Sequence, residues 1–339
     1  SLQSIGLQFP RLEIVLSKYH FMKKAFLSLF LLAALNAFAQ YPEATISNGL
    51  IDAKLYLPDH KKGFYQGTRF DWAGVVSSLK YKNHEFFGQW YPKHDPKVHD
   101  AIQGPVEAFD PIGYENAQPG ETFIKIGIGT LKKVNTNPYR FSSKFEMVNR
   151  GEWKIEKKKD RIVFIHELHD DKGYAYIYKK TLSLVKGKPE LILSHSLKNI
   201  GTNTIETSVF NHNFFVIDKQ TTGPDFTVTL PFAIKSEPAG KSLIEFEDNR
   251  LVFLRELTKG QSTMEYPKGY TGDRVKDYDF TVENSKTGAR VRITSDRPLS
   301  NFMFWSVPTT LSPEPFIKVK ALPGEEFNWE IKYDFKSDK

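Results

Sequence analysis

The sequence of 339 residues contains no cysteine. This absence excludes a disulfide framework, a zinc site built from thiolates and a cysteine nucleophile. A strong excess of one charge is also missing. Four of the 47 basic and one of the 40 acidic side chains lie in residues 1–39, which leaves 43 and 39 and a net charge of +4 for the rest. Such a balanced surface gives no argument for nucleic-acid binding.

A long apolar run occurs only near the N-terminus. Residues 22–39 combine the basic Lys23 and Lys24, an apolar segment at 25–35 and an Ala-Phe-Ala cleavage site. This pattern predicts a signal peptide and an exported protein, periplasmic or secreted. The apolar segment is too short to prefer spanning a bilayer, so no membrane span is expected after its removal. Residues 1–21 are interpreted as an upstream, non-native segment.

Aromatic residues are abundant, with 27 Phe, 15 Tyr and 5 Trp, and they favour β structure. From residue 40 onward, short stretches alternate apolar and polar residues between turn residues, and no convincing amphipathic helix exceeds two turns. We therefore predict an all-β protein in which residues 41–336 form a single large β-sandwich. Residues 90–121 are rich in Pro, His, Asp and Gly and have weak periodicity, which predicts a functional loop.

One predicted strand carries a candidate proton donor. In TIETSVFNHNFFVID, period-2 alternation places Asn211 on one face and His212 on the other, between Phe210 and Phe214. A partly desolvated imidazole can donate a proton if a carboxylate holds it charged. The alternative is a core histidine with one hydrogen bond.

Three segments resemble the galactose mutarotase-like (aldose 1-epimerase) superfamily. Residues 197–215, LKNIGTNTIETSVFNHNFF, resemble its central strand with the asparagine–histidine motif. Residues 319–335, VKALPGEEFNWEIKYDF, resemble its closing turn and last strand, and residues 63–87 resemble its opening strands. The likeness covers roughly residues 45–336.

This resemblance implies a β-supersandwich that interconverts the α and β anomers of a free aldose without cofactor or metal. It implies that His212 is the general acid that protonates the ring oxygen. A carboxylate takes the proton of the C1 hydroxyl, and the two groups act from opposite sides of the anomeric region.

Glu314 is the predicted base, because Pro313 and Pro315 would pin a turn that aims its carboxylate. The chain departs from the family here. The family's glutamate usually follows the preceding strand more closely, where residues 306–310 contain no acid. The alternative is an ordinary exposed acid in a turn.

Several residues are predicted to bind the substrate. Arg69 presents a fork of donors that suits hydroxyls or a carboxylate, unless an internal salt bridge to Asp71 or another acid occupies it. Lys125 would meet an acidic or phosphorylated sugar, unless it is a solvated strand lysine. Trp305 would supply a stacking face, unless it belongs to the core.

The loop and the asparagine–histidine motif complete the predicted set. The family contacts its sugar with a second histidine, and His99, Gln103 and Glu107 are the loop candidates for that contact. Asn211 is included as the neighbour of His212. The two loop histidines, His94 and His99, are separated by four residues in a proline-containing stretch without an evident third ligand, so no metal site is predicted.

The predicted partner is a monosaccharide or oligosaccharide, and the leading function is an aldose 1-epimerase-like isomerase. A non-catalytic carbohydrate-binding protein, or a lyase-type polysaccharide-processing protein, is the alternative, because one scaffold supports several chemistries. A phosphosugar epimerase is disfavoured, since phosphosugars are mainly intracellular and the leader predicts export. The sequence predicts neither the sugar nor the oligomeric state.

Overall fold

A computed structural model describes residues 41–240 and 242–338. The predicted signal peptide at 22–39 and the upstream segment at 1–21 lie outside the described residues. No helix in the described part of the chain is long and apolar enough to cross a bilayer.

Nearly all regular structure in these residues is β-strand, with two short 3-10 helices at Ile217–Lys219 and Val275–Asp277. The strands of the described chain are β1 (Glu43–Ser47), β2 (Ile51–Tyr56), β3 (Val75–Tyr81), β4 (His84–Glu85), β5 (Val106–Phe109), β6 (Thr122–Lys125), β7 (Gly129–Lys132), β8 (Glu146–Asn149), β9 (Glu152–Lys157), β10 (Arg161–His169), β11 (Ala175–Leu184), β12 (Glu190–Asn199), β13 (Ile205–His212), β14 (Phe226–Thr229), β15 (Ile244–Glu247), β16 (Arg250–Phe253), β17 (Thr263–Glu265), β18 (Asp279–Asn284), β19 (Ala289–Ser295), β20 (Asn301–Val307), β21 (Thr310–Ala321) and β22 (Glu326–Ser337).

These strands form four antiparallel sheets. The largest has ten strands in the order β15-β16-β14-β18-β19-β22-β12-β11-β10-β9, and the next has five in the order β17-β20-β21-β13-β5. A four-stranded sheet (β1-β2-β3-β4) and a three-stranded sheet (β6-β7-β8) complete the fold. Side chains of β5 and β13 contact side chains of β11, β12 and β22, so the two largest sheets enclose a common core. The predicted all-β sandwich is confirmed.

The period-2 patterns identify the strands because each strand has one buried face. In β12, Leu191, Leu193, His195 and Leu197 are buried while the residues between them are partly exposed. Burial of alternate apolar side chains removes roughly 1.5–3 kcal/mol of unfavourable hydration for each large one. The alternation in the sequence therefore identifies the face of β12 that packs in the core.

Two segments differ from the sequence prediction. The predicted loop at 90–121 contains β5, whose four residues are all buried and so show no alternation. The predicted turn around Glu314 is instead part of β21. A strand accepts two prolines here because pairing of β21 with β13 ends at Phe316, before Pro315 and Pro313.

A charged cluster lies between the two largest sheets. Glu107 of β5 forms an ion pair with Lys180 of β11, and its Oε1 lies 3.0 Å from Nε2 of His195 on β12. The same oxygen accepts a hydrogen bond of 3.0 Å from the side-chain amide of Asn211 on β13. The Glu107 and Lys180 side chains are almost completely buried, so the charge and its partners join both sheets.

The partners of Glu107 decide its ionisation. Burial raises the pKa of this carboxyl, but Lys180 and His195 outweigh burial and lower it to about 2. At Asp71, burial outweighs the attraction of the Lys180 ammonium, which lies 3.9 Å away. The pKa of the Asp71 carboxyl is therefore raised to about 7. Glu107 is therefore the anion that balances the buried Lys180.

The substitution Glu107→Gln is expected to lower the free energy of unfolding by about 3 kcal/mol or more, because it leaves the buried Lys180 ammonium without its anion. Urea denaturation measures this change. The control is Glu206→Gln, which removes an exposed partner of Lys320 and is expected to cost less than about 1 kcal/mol. Equal changes in the two variants would contradict the central role of the cluster.

Candidate active site

His212 and Glu314 meet because their strands are neighbours. In the pairing of β13 with β21, Phe210 lies opposite Phe316. Two residues further along the same face, His212 comes opposite Glu314, as alternation requires. Nε2 of the imidazole lies 3.1 Å from Oε1 of the carboxyl, and both side chains are nearly buried. The sequence-predicted acid and base are thus brought together.

The second ring nitrogen also has a partner. Nδ1 of His212 lies 2.7 Å from the hydroxyl oxygen of Ser312, which also accepts a 2.9 Å hydrogen bond from the backbone N–H of Asn213. Both nitrogens are held, so the orientation of the ring is fixed. Ser312 was missed in the sequence prediction. It precedes Glu314 by two residues, but that spacing points to a shared face only once the segment is known to be a strand.

Aromatic rings enclose the imidazole. The Phe214 ring stacks on it with centroids 3.5 Å apart and an interplanar angle of 8°. Phe70 and Trp305 approach with their edges at centroid distances of 5.5 and 5.6 Å. Phe214 has φ of +43°, which is costly for a bulky residue and which occurs at functional sites when the surroundings enforce it. These rings leave the His212 side chain almost completely buried.

An irregular segment covers this end of β13. The Trp90 ring stacks on Phe214 at 5.3 Å, and its indole N–H donates to the carbonyl of Ile102. Gly104 approaches so closely that an added Cβ would lie 2.1 Å from the carbonyl oxygen of Asn213. A side chain at position 104 would therefore displace the strand end that carries His212.

Burial sets the protonation of the pair. Burial, and then the positive charge of Arg69, lower the pKa of His212 well below its usual value of 6.5. Burial raises the pKa of Glu314 to about 8; Arg69 opposes this change and Asp100 adds to it. At neutral pH the pair therefore carries one transferable proton, which resides on the carboxyl.

The pair lines a pocket of about 240 Å³, which we call the His212 pocket. Arg69 and Asp100 contribute an ion pair to its lining, and Met264 and Met303 also line it. Its walls are largely aromatic and are formed by Phe141, Phe210, Phe214, Trp305 and Phe316. A pocket with apolar walls and a few convergent polar groups is typical of small-ligand sites.

Arg69 lies in the wall of the His212 pocket. Its guanidinium forms an ion pair with Asp100 and stacks over Phe141, 3.9 Å from the ring centroid. The internal salt bridge considered from the sequence is therefore present, with Asp100 as the partner. Asp71 is buried in the core cluster instead. The Arg69 side chain keeps 12% of its surface exposed and lines the pocket.

Lys125 lies behind Arg69 and does not line the His212 pocket. Its ammonium donates to the carbonyl of Arg69 at 2.7 Å and to the Tyr139 hydroxyl at 3.0 Å. Burial, followed by repulsion from Arg69, lowers its pKa to about 7. Lys125 is the last residue of β6, and its buried side chain holds the Arg69 backbone in place through this hydrogen bond.

The other predicted residues lie elsewhere. Glu107 and Asn211 belong to the core cluster, on the face of β13 opposite to His212. Gln103 is buried, and its side-chain oxygen has no hydrogen-bond partner among the described residues. His99 pairs with Asp100 at 3.1 Å and lines a neighbouring pocket. Only His212, Glu314, Arg69 and Trp305 of the predicted set share the His212 pocket.

The arrangement of the acid and the base differs from the one that the resemblance implies. The two groups were expected on opposite sides of a sugar, and they are in direct contact. Adjacent donor and acceptor groups can still exchange protons with two neighbouring atoms of one ligand. Within residues 41–240 and 242–338, no group of three His, Asp or Glu side chains is placed to hold a metal ion.

Comparison with known proteins shows the fold. An aldose epimerase homologue from C. elegans superimposes with a TM-score of 0.54 at 14% identity, over 88% of this chain and 99% of that chain. A galactose mutarotase related enzyme from Lactobacillus acidophilus gives 0.51 at 15% identity, over 87% and 97%. A galactose mutarotase-like protein from Clostridium acetobutylicum gives 0.51 at 12% identity, over 87% and 95%. The predicted galactose mutarotase-like fold is thus confirmed.

Sequence comparisons add no closer relative. No protein-family model matches the chain, and a search of curated proteins finds no match. At sequence identities of 12–15%, the structural similarity shows the fold alone.

The His212 ring is expected to stay neutral through the pH range near 6.5 in which an exposed histidine titrates, since burial and Arg69 lower its pKa. NMR titration of the histidine ring signals measures this, with His212→Gln used to assign the resonance. Titration of His212 at or above 6.5 would contradict the buried environment described here.

Proposed function

We propose that the protein is an aldose 1-epimerase-like isomerase that interconverts the α and β anomers of a free sugar. The observation that carries this proposal is the direct contact between His212 and Glu314 at the wall of a pocket. We also propose that it acts outside the cytoplasm, on the strength of the predicted signal peptide at 22–39.

The resting pair holds the proton that the reaction needs. We assign this proton to Glu314, which donates to Nε2 of His212, while the Nδ1 proton points to the Ser312 oxygen. Both side chains are then neutral, which suits groups that are almost completely buried. The Ser312 oxygen has two lone pairs, so it accepts from Nδ1 and from the Asn213 backbone together.

Ring opening transfers two protons. The C1 hydroxyl gives its proton to Nε2 of His212 while the bond between C1 and the ring oxygen breaks and C1 becomes a carbonyl. The ring oxygen takes the proton of Glu314. The products are the open-chain aldose, an imidazolium and a carboxylate, so atoms and charge balance.

Ring closure restores the pair. Rotation about C1–C2 presents the other face of the carbonyl, and the hydroxyl that was the ring oxygen attacks it. That hydroxyl returns its proton to Glu314, and the new C1 oxygen takes one from the His212 imidazolium. In both directions His212 exchanges its proton with the C1 oxygen and Glu314 exchanges its proton with the ring oxygen, which reverses the assignment that the resemblance implies.

The close spacing of the pair fits this chemistry. The C1 hydroxyl and the ring oxygen are bonded to the same carbon, so one sugar presents a donor and an acceptor side by side. Substrate binding replaces the direct bond between His212 and Glu314 with one bond to each oxygen. Arg69 then stabilises the carboxylate that forms, because its charge favours the ionised form of Glu314. Trp305 supplies an aromatic face for the sugar ring.

A sugar-binding protein without catalysis, or a lyase-type polysaccharide-processing protein, is the second candidate. The observation that favours it is the near-complete burial of His212 and Glu314, which already satisfy each other. It predicts saccharide binding without anomer exchange, and a lyase would release products with unsaturated uronate ends.

The variants His212→Gln and Glu314→Gln are each expected to lower the rate of anomer exchange by about a hundredfold to ten-thousandfold, because each removes one proton-transfer partner. The assay dissolves single anomers of several hexoses and follows their equilibration by polarimetry or proton NMR. His169→Gln and Glu206→Gln, on exposed side chains, are the matched controls and are expected to retain full activity. Equal rates in wild type and both site variants would exclude the isomerase.

The pH dependence follows from the single shared proton. The enzymatic rate is expected to be level near neutrality and to fall as the pH rises through about 8, because the raised pKa of Glu314 is then exceeded and the proton is lost. The acidic limb should lie well below 6.5, since the pKa of His212 is lowered. Measured rates are corrected for mutarotation by the buffer alone. A rate that rises through pH 8 would contradict the assignment.

A further inference from the structure

A second pocket of about 240 Å³ adjoins the His212 pocket, and we call it the basic pocket. Its lining includes Lys97, Lys144 and Arg150 together with two histidines, His60 and His99. None of the described residues that line it carries a carboxylate. This composition contrasts with the His212 pocket, whose lining contains two carboxyl groups, those of Glu314 and Asp100.

The cations of the basic pocket are not neutralised by neighbours. Among the described residues, Lys97, Lys144 and Arg150 form no ion pair with a carboxylate. Arg150 lies close enough to His60 to add to the effect of burial and lower the pKa of that ring, against the smaller, opposite effect of Asp59. Cations that line one pocket without a carboxylate partner create a positive potential that favours an anionic ligand.

One wall separates the two pockets. Three chain segments build it, and in each segment consecutive residues line different pockets. Thr68, His99 and Ser142 line the basic pocket, whereas the adjacent residues Arg69, Asp100 and Phe141 line the His212 pocket. The wall is held together by the contacts of Asp100 with Arg69 and His99.

The basic pocket also offers the groups that a sugar ring requires. Its lining includes the largely buried aromatic residue Trp72, and Gln66, Thr68, Ser142 and Ser143 supply hydroxyl and amide groups. Each pocket alone is smaller than the roughly 300–1,000 Å³ of a site for a drug-sized ligand. Two adjoining pockets of this size suit a ligand of two linked units.

From the basic pocket, its uncompensated cations and the shared wall, we infer that the protein binds acidic oligosaccharides. The reducing-end sugar occupies the His212 pocket, and a neighbouring unit with a carboxylate or a sulfate ester occupies the basic pocket. The placement of the reducing end rests on the proposed isomerase function, whereas the anion site rests on the basic pocket alone.

Matched disaccharides with glucose at the reducing end test this inference. The pairs are cellobiose with cellobiouronic acid, and lactose with lactose 3′-sulfate; calorimetry measures the dissociation constants. We expect the acidic member of at least one pair to bind about tenfold more tightly, as one or two charge-assisted hydrogen bonds provide. The preference should shrink as ionic strength rises, since the basic side chains are exposed. The pair that responds distinguishes a carboxylate from a sulfate.

Two variants of equal charge locate the effect. Lys144→Gln combined with Arg150→Gln is expected to abolish the acidic preference, so that the acidic and the neutral member of each pair bind with equal dissociation constants. Lys235→Gln combined with Lys259→Gln removes two exposed cations that do not line the basic pocket and should keep the preference. Circular dichroism checks that both variants are folded. No preference for either acidic ligand, or equal loss in both variants, would overturn the inference.

The outcome is separable from that of the proposed function. Anomer exchange without an acidic preference would remove the anion site and leave the isomerase. An acidic preference that depends on Lys144 and Arg150, without exchange of any anomer, would leave the anion site and remove the isomerase.

Discussion

The rest of the structure depends on the interactions of the Glu107 carboxylate with Lys180 and His195. The carboxylate lies between the two largest sheets and is kept ionised by Lys180 and His195 against the cost of burial. A buried ion pair of this kind is weak evidence for stability in itself, but removing one partner is expensive. The sheets are therefore fixed relative to each other by groups that tolerate little displacement.

The same anion is connected to the candidate active site. Its Oε1 accepts from an amide on β13, and a hydrogen-bonded series continues from there to the imidazole. The series runs through Glu107, Asn211, Tyr333, Asn213, Ser312 and His212. Strand β13 thus presents one face to the core cluster and the other to the pocket, so the position of His212 is set by the packing of both sheets.

Much of this organisation follows from alternation along single strands. The alternation around His212 correctly predicted which residues lie on each face of β13, because a side chain in a strand can point to only one of two faces. Glu314 could be predicted as the carboxyl group, but its place in a strand could not, because the two prolines suggested a turn. The pairing that ends at Phe316 depends on β13, which is distant in the sequence. The partners of Glu107 could not be predicted either, because a four-residue strand buried on both faces has no periodic signal.

The prolines of β21 have one more effect. A strand that slips by one residue would turn Glu314 toward the core and bring Pro313 or Pro315 to the pocket face. A slip by two would restore the faces but would bring Pro315, which has no N–H group, to the position where Ile317 now pairs with Val209. Pro313 and Pro315, which have no functional group of their own, therefore fix the register that places Glu314 beside His212.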